Sequence, residues 1–388
     1  MKLRQLPEDF KVEEISNLEI KKEKSNFKIY LLEKKSAETF ALLDHLAKTN
    51  KIPRREFCIA GLKDKHAITK QYVCVPATYD LRIVEGNNFK LTFLGYTDKK
   101  MHLGDLWGNK FQIIIRALRK GELDGVKQKA SDLEQIGVPN YFDSQRFGSV
   151  VQGTFIAKAL MQRKYEQAVK IYLTECSRHE LQSIKQDKRL MVERWDKLTT
   201  LPIKSPRFRT IIDEYKKTKS WLAAYQKIPA NLRELYVSAY QSYLWNECVK
   251  ELLKRFVDRK KLYIIPYSIG SLLFYKKITL QELEKIPKTF KTISELGNYN
   301  EIEKEIISRV LQGEGISLQD FAIKEETGNF FVAHERSVIV KPSHFFCSDP
   351  LVDEINDRGK KNFFKFIVSF ALPKGSYATI VTKRLFNK

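Results

Sequence analysis

Strand-like alternation of apolar and polar residues occurs near both ends of this 388-residue chain, and long helical patterns fill the middle. Residues 111–116 and 364–370 alternate with the two-residue period of a strand. Apolar residues over 156–173 and 232–253 instead recur with helical spacing. These patterns predict an α+β fold in which one domain is built from both ends of the chain.

The discontinuous domain is predicted over residues 1–150 and 337–388, and residues 151–336 are predicted to form a mostly helical insert. A chain of 388 residues with 43% hydrophobic content is long enough for two domains, each with its own core.

Three helices of the discontinuous domain can be predicted from local signals. Ser36 is a plausible N-cap of a helix with one apolar face, formed by Phe40, Leu43, Leu46 and Ala47. A second helix is predicted from the apolar spacing over residues 123–133, with Gly137 as its stop. The last one follows Pro373 and carries the apolar residues of 380–385.

The chain is strongly basic, with 69 Lys and Arg against 47 Asp and Glu, for a net charge of +22. Such a charge favours a polyanionic partner, and nucleic acid is the leading candidate. The N-terminal residues 1–7 have no apolar signal core, and no apolar run approaches the length needed to span a bilayer. We therefore expect a cytoplasmic protein that does not bind membranes.

Metal, redox and nucleotide sites have no sequence signal. The cysteines are odd in number, widely spaced and without a CxxC pair, and the histidines lack HExxH spacing. Gly313 and Gly315 lack the rest of a phosphate-binding fingerprint. We expect neither a metal nor a cofactor.

The segment most indicative of chemistry is Gly61–Gln71, which places Asp64 between Lys63 and Lys65 in a loop. Strand-like runs precede and follow this loop, and Gly61 marks the exit from the first one. A carboxylate held on such a frame is a candidate catalytic group. Taken alone, a KDK tripeptide is more often a surface turn.

Two further segments occur with this loop: Pro7–Glu14, which reads PEDFKVEE, and Asn140–Gly148, which reads NYFDSQRFG. With all three in this order, the chain resembles the TruD family of pseudouridine synthases over nearly its whole length. The resemblance implies a catalytic domain with a mixed, mostly antiparallel sheet, interrupted by the family's insertion domain. It also implies isomerisation of uridine 13 in tRNA without a cofactor, by an enzyme that we expect to be a monomer.

By this resemblance Asp64 is the catalytic residue, since it matches the aspartate of the family's GxKDxxAxT pattern. A carboxylate can form a covalent intermediate or stabilise a cationic sugar while the glycosidic bond breaks. Lys63 is expected to set the local potential or to meet a phosphate, rather than to act as a base. For His66, a structural role is at least as plausible as a catalytic one.

The resemblance also implies that four residues bind the substrate: Phe10, Asn140, Phe142 and Tyr377. Phe10 and Phe142 match positions that stack on or border the target base, which must leave its stack to be reached. Phe142 stands where other pseudouridine synthase families use tyrosine. Asn140 can hydrogen-bond the uracil edge or the catalytic loop. The alternatives are core packing for the aromatic residues and a turn role for Asn140.

Three positions complete the comparison with the family. Arg4 stands where the family has a lysine or arginine near the catalytic carboxylate, and its guanidinium could pair with Asp64. Phosphate contact or a frayed N-terminus is an equal alternative for Arg4. Tyr377 replaces the usual phenylalanine, and Asp143 replaces a frequent glycine, so the local turn can differ there.

Two other classes of function were weighed against the enzyme. The first is a non-catalytic RNA-binding or RNA-folding protein, which would keep the basic surface and lack isomerisation. The second is a DNA-binding protein, which ranks last because the chain has no recognition-helix motif or dimerising heptad. Basic runs such as Lys216–Lys219 and Arg259–Lys261 are by default solvated faces.

Overall fold

The computed structural model describes residues 1–82, 84–151, 153–177, 180–328, 331–357, 359 and 362–386. They form two compact units, the first comprising Met1–Val138 and Val340–Lys388, and the second comprising Pro139–Ile339. The chain passes between them near residue 138, rather than near residue 150, so the Asn140–Gly148 segment belongs to the second unit. Which unit is the catalytic domain and which the insertion domain remains a prediction.

The N-terminal segment consists of strands with two helices. In chain order these are β1 (Phe10–Ser16), β2 (Phe27–Lys35), α1 (Thr39–Asn50), β3 (Cys58–Ile59), β4 (Ile68–Pro76), β5 (Glu85–Gly86), β6 (Phe89–Thr97), β7 (Leu106–Arg119), α2 (Val126–Ile136) and β8 (Val138–Pro139). Short 3₁₀ helices lie at Pro7–Asp9, Arg54–Glu56 and Lys120–Glu122.

The middle of the chain is mostly helical, with a few short strands. It contains α3 (Ile156–Met161), α4 (Tyr165–Thr174), α5 (Gln182–Glu193), α6 (Pro206–Thr218), α7 (Trp221–Gln226), α8 (Ala230–Phe256), β9 (Leu262–Tyr267), β10 (Gly270–Tyr275), α9 (Leu280–Lys285), β11 (Thr289–Lys291), α10 (Glu301–Glu314), α11 (Lys324–Thr327), β12 (Glu335–Ser337) and β13 (Ile339–Val340). Its 3₁₀ helices are Ser144–Phe147, Trp195–Thr200, Arg259–Lys261 and Leu318–Phe321.

The C-terminal segment returns to strands and ends in a helix. It consists of β14 (Ser343–Cys347), β15 (Leu351–Val352), β16 (Phe363–Pro373) and α12 (Ala378–Phe386).

One large sheet organises the first unit, in the order β14-β16-β7-β1-β4-β2-β6-β5, with β15 on β16 and β3 on β4. Among the described strands of this sheet, β1 and β4 pair in parallel and the other pairs are antiparallel. The predicted α+β class and the mixed, mostly antiparallel sheet are confirmed. The long pairing of β7 with β16 joins segments from the two ends of the chain.

The alternation in β7 is correct except at its end. Phe111, Ile113 and Ile115 are buried, but Arg116, which the two-residue period places on the opposite face, is only 3% exposed. Its guanidinium bonds the buried carboxylates of Asp9, at 2.8 Å, and Asp353, at 3.0 Å. Because Asp9 and Asp353 are buried with it, the charge of Arg116 is compensated inside the unit, and the more exposed Glu354 carboxylate accepts a further bond from it at 3.2 Å.

The first predicted helix is present as α1, but its start was predicted wrongly. Its N-cap is Glu38, whose carboxylate accepts from the N–H groups of Phe40 and Ala41. Ser36 instead has a left-handed backbone, with φ of 52°, and donates its N–H to the Ala67 carbonyl. Phe40, which was predicted on the apolar face of this helix, is 46% exposed.

The other predicted helices are present with small differences. Gly137 ends α2 with φ of 70°, as expected for a glycine stop. The stretch 156–173 is two helices rather than one, since Arg163 between α3 and α4 has a left-handed backbone, with φ of 58°. The stretch 232–253 lies inside α8, which forms much of the core of the second unit and buries Trp245 fully.

Candidate active site

The loop that carries Asp64 is fastened to its own sheet by side-chain and backbone hydrogen bonds. It leaves β3 at Gly61, whose carbonyl accepts from the Gln71 amide of β4 at 3.3 Å. It returns to β4 after Ala67, whose carbonyl accepts from the N–H of Ser36 at 3.1 Å. Both ends of the loop are therefore held by hydrogen bonds to other segments of the first unit, one to β4 and one to the residue that follows β2.

Arg4 pairs with Asp64, with 3.0 Å between a guanidinium nitrogen and a carboxylate oxygen. The two side chains are 28% and 17% exposed, so the pair is only partly shielded from water. Arg4 has a left-handed backbone, with φ of 58°, which costs a non-glycine residue about 1–2 kcal/mol. The arrangement holds the carboxylate in one orientation while leaving it accessible.

Phe10 lies beneath the guanidinium of Arg4. The Arg4 guanidinium carbon is 4.0 Å from the centre of the Phe10 ring, and Phe111 contacts the same ring edge to face. Phe10 is only 2% exposed. This burial fits a residue that borders the site and supports Arg4 better than one on which a base stacks.

The Lys63 side chain points into the protein. It is 4% exposed and forms an ion pair with Glu14 of β1, whose side chain is fully buried. Burial raises the pKa of the Glu14 carboxyl, and the adjacent Lys63 opposes that shift. Of the two predicted roles for Lys63, this position favours setting the local potential over meeting a phosphate. His66 and Lys65 are exposed on the loop.

Lys34 of β2 was missed by reasoning from the sequence. Its side chain lies inside the unit, with the residue 2% exposed, and its ammonium donates to the Asp64 and Ala37 carbonyls, both at 2.9 Å. A longer contact of 3.5 Å reaches the Lys63 carbonyl. Lys34 shares one face of β2 with buried Leu32 and Tyr30, but the other face is also apolar at Ile29 and Leu31, so the two-residue period alone does not show which face is inward.

Asn140 and Phe142 lie in the second unit, where α8 holds their segment. Asn246 accepts from the Phe142 N–H and donates to the Phe142 carbonyl, both at 2.9 Å. This pair of bonds fixes the backbone of the motif. Asn246 lies about a hundred residues further along the chain, and no role was predicted for it.

The half-buried Phe142 ring is set among cationic and aromatic side chains. The Arg336 guanidinium carbon is 3.9 Å from its centre, and Arg146 is at 5.7 Å. Trp245 meets it edge to face, with 5.6 Å between ring centres. Two guanidinium groups near an aromatic ring favour an electron-rich or anionic ligand beside it.

Asn140 is 5% exposed and its amide nitrogen donates to the Ser337 carbonyl at 3.1 Å. Its own carbonyl accepts from Arg336 at 3.2 Å. Its side-chain oxygen finds no hydrogen-bond partner in the part of the chain that the structure describes. A buried amide oxygen without a partner is costly, and a donor from a ligand would satisfy it.

Asp143 and Tyr377, the two departures from the family pattern, lie where the backbone accommodates them. Asp143 has φ of −103° and ψ of 175°, which any residue adopts, and its carboxylate caps the short helix at Ser144, accepting that residue's N–H at 2.7 Å. Tyr377 lies half-buried in the turn between β16 and α12 of the first unit. Neither position requires the residue type that is usual in the family.

A basic pocket of about 590 Å³ adjoins the Asp64 loop in the first unit. Its lining includes three lysines, Lys99, Lys100 and Lys374, with His102 and one acidic residue, Asp105. The N–H of Gly104, in the same pocket, donates to the Ala60 carbonyl at 2.7 Å, just before the loop begins. The pocket therefore lies close to the segment that carries Asp64, with a charge suited to a phosphate group.

No cluster of three or more His, Cys, Asp or Glu side chains able to hold a metal occurs among the described residues. Within the same residues, no helix is both long and apolar enough to cross a membrane.

Known proteins of one family match this chain along nearly its whole length. The family model described as tRNA pseudouridine synthase D (TruD) matches residues 1–269 and 273–385. A Methanocaldococcus jannaschii protein named probable tRNA pseudouridine synthase D 2 is 39% identical over all of this chain and 92% of its own length. The Aquifex aeolicus tRNA pseudouridine synthase D is 30% identical over all of this chain and 98% of its own.

A solved structure shows the same fold. It is the crystal structure of a Methanosarcina mazei protein assigned as tRNA pseudouridine synthase D, with a TM-score of 0.74 and 26% identity. The match covers all of this chain and 93% of that chain.

Proposed function

Because this chain belongs to the TruD family of tRNA pseudouridine synthases, we propose that it converts uridine 13 of tRNA to pseudouridine with Asp64 as its nucleophile. The observation that carries the proposal is the Arg4–Asp64 pair, a partly exposed carboxylate held at 3.0 Å on a loop fixed at both ends. Such a group is oriented before substrate arrives and needs little reorganisation to react.

The reaction exchanges one bond of the ribose for another without a net change in atoms. The bond from the ribose C1′ to uracil N1 breaks, and a bond from C1′ to uracil C5 forms. N1 gains a proton, and C5 loses one to solvent. Asp64 assists by bonding to the sugar, or by stabilising its positive charge, while the detached uracil turns.

Arg4 is proposed as the group that keeps Asp64 oriented, with Phe10 beneath it as a rigid support. A guanidinium is always charged at working pH and makes directional bonds to carboxylates. The aromatic ring below limits the number of rotamers that Arg4 can adopt. Lys63 is proposed to set the local electrostatic potential from inside the protein, where it pairs with Glu14.

Asn140 and Phe142 are proposed to contact the target base, on the strength of the motif match and of their surroundings. The side-chain oxygen of Asn140, which has no hydrogen-bond partner among the described residues, is suited to accept from an N–H of uracil. Stacking on Phe142 offsets part of the cost of removing the base from its stack, by roughly 1–3 kcal/mol. Tyr377 is proposed as a further contact on the motif match alone.

The proposed partner is tRNA, attracted by the net charge of +22 and by the basic pocket next to the Asp64 loop. The chemistry needs no cofactor, and we expect a monomer that works in the cytoplasm. A non-catalytic RNA-binding protein is the alternative, and it would share these basic surfaces.

The proposal is tested by incubating purified protein with an unmodified tRNA transcript and mapping pseudouridine by position. A transcript with cytidine at position 13 serves as the matched control. Product at position 13 of the first transcript, and none in the control, is the expected result. Tight binding of both transcripts without product in either would favour the RNA-binding alternative.

A further inference from the structure

Lys34 contacts the Asp64 loop from inside the first unit and has no role in the chemistry described above. Its ammonium has three N–H donors, and three backbone carbonyls surround it. Two of these carbonyls, those of Asp64 and Lys63, belong to the loop itself, and the third is that of Ala37 in the turn before α1. One buried side chain thus connects the loop to the strand β2 and to this turn.

The Asp64 residue is consequently held at two points by two cations. Lys34 binds its backbone carbonyl at 2.9 Å from below, and Arg4 binds its carboxylate at 3.0 Å from the partly exposed side. The contact with Arg4 acts only on the carboxylate of Asp64, and not on its backbone. Two contacts fix both the backbone and the side chain.

Burying an ammonium is costly, and the usual solution is a carboxylate partner. Lys34 is instead satisfied mainly by carbonyls, and burial lowers its pKa to about 8. The nearby carboxylates Asp64 and Glu38 act against this shift, and Lys63 adds to it.

Resting on the proposed function, we propose that Lys34 is a positioning residue for Asp64, whose ammonium holds the loop backbone so that the carboxylate stands where it can reach the ribose. Displacing a reacting group by about 1 Å can cost roughly a hundredfold in rate. Removing the ammonium should therefore slow the chemical step and leave tRNA binding largely unchanged.

The chain offers a matched control in the same strand. Lys28 of β2 is also buried, at 8% exposure, and its ammonium also donates to a backbone carbonyl, that of Tyr79 at 2.9 Å. It pairs with Asp80 and makes none of the loop contacts described above. Lys28→Met therefore removes a comparable buried ammonium without touching the Asp64 loop.

The experiment measures single-turnover pseudouridine formation and tRNA affinity for the wild type, Lys34→Met, Lys34→Arg and Lys28→Met. The circular dichroism spectrum and melting temperature show that each variant is folded. We expect Lys34→Met to lower the rate at least about tenfold and to keep tRNA affinity within about twofold. Lys34→Arg, which keeps the charge, should recover part of the rate, and Lys28→Met should react like the wild type.

A pH profile supplies a readout that simple loss of packing would not change. The wild-type rate should fall as pH rises through about 8, because Lys34 then loses the charge that strengthens its bonds to the carbonyls. The profile of Lys34→Met should lack this fall.

Several outcomes would overturn the inference. These are equal rates for Lys34→Met and Lys28→Met, a loss of affinity in parallel with rate, or a fall above pH 8 that survives in Lys34→Met. Absence of product from the wild type would instead count against the proposed function itself, so the two failures can be told apart.

Discussion

Replacing Lys63 by methionine is expected to lower the free energy of unfolding by about 3–5 kcal/mol at pH 7, the usual cost of leaving a buried charge without its partner. The side chains of Lys63 and Glu14 are 4% and 0% exposed, so neither can turn to water when the other is removed. Methionine keeps the length and the apolar stem of lysine, and the change therefore isolates the charge.

Urea unfolding at pH 7 measures this loss as a shift of the midpoint at constant slope. The matched control is the double variant Glu14→Leu with Lys63→Met, which removes both charges together. Because a buried pair can often be replaced by apolar residues at little cost, the double variant should recover most of the stability.

We also expect the stability deficit of Lys63→Met to depend on pH. Burial raises the pKa of Glu14, and in Lys63→Met the opposing influence of Lys63 is gone. In the folded variant Glu14 therefore keeps its proton at pH values at which the unfolded chain, with a glutamate pKa of about 4.3, has already lost it. The stability deficit should therefore be smaller at pH 5 than at pH 7.

The reasoning would be refuted if Lys63→Met cost less than about 1 kcal/mol while weakening tRNA binding, since that result would mean that Lys63 contacts phosphate. A deficit that grew on acidification would contradict the assignment of Glu14 as the stranded charge.

Two further predictions concern the substrate. Phe142→Ala should slow single-turnover product formation by about 5- to 150-fold, equivalent to a loss of roughly 1–3 kcal/mol of stacking, and an unchanged rate would return Phe142 to a packing role. Lys99→Ala with Lys100→Ala should weaken tRNA binding and reduce the dependence of log affinity on log salt by about 0.7–0.9 for each lost phosphate contact. The control is Lys285→Ala with Lys288→Ala, because these exposed lysines line a pocket of mixed charge in the second unit; an equal effect there would remove the special role of the basic pocket.

The sheet and the Asp64 loop could be predicted because their signals are local. Alternation in 111–115 and 364–370 predicted strands that pair with each other in the structure, and Gly61 marked the start of the loop. The start of α1 was predicted wrongly because Ser36, a good cap by residue type, uses its backbone to close the loop at Ala67. A local propensity yielded there to a long-range hydrogen bond.

Lys34 could not be predicted because its strand is apolar on both faces. Residues 29–32 of β2 are all apolar, so the sequence alone does not show which face is inward. The inward face is set by the pairing of β2 with β4, in which Lys34 lies opposite the buried Thr69. Arg336 could not be predicted either, because it is almost two hundred residues from Phe142 in the sequence and only the fold brings the two side chains together.

The most direct test of the account is pseudouridine formation by Asp64→Asn, measured beside the wild type on a tRNA transcript with uridine at position 13. The asparagine keeps the shape of the side chain and removes its negative charge. We expect product from the wild type only, with tRNA affinity largely unchanged in the variant, because phosphate contacts supply much of the binding. Product from Asp64→Asn at a rate near that of the wild type would contradict the assignment of Asp64 as the nucleophile.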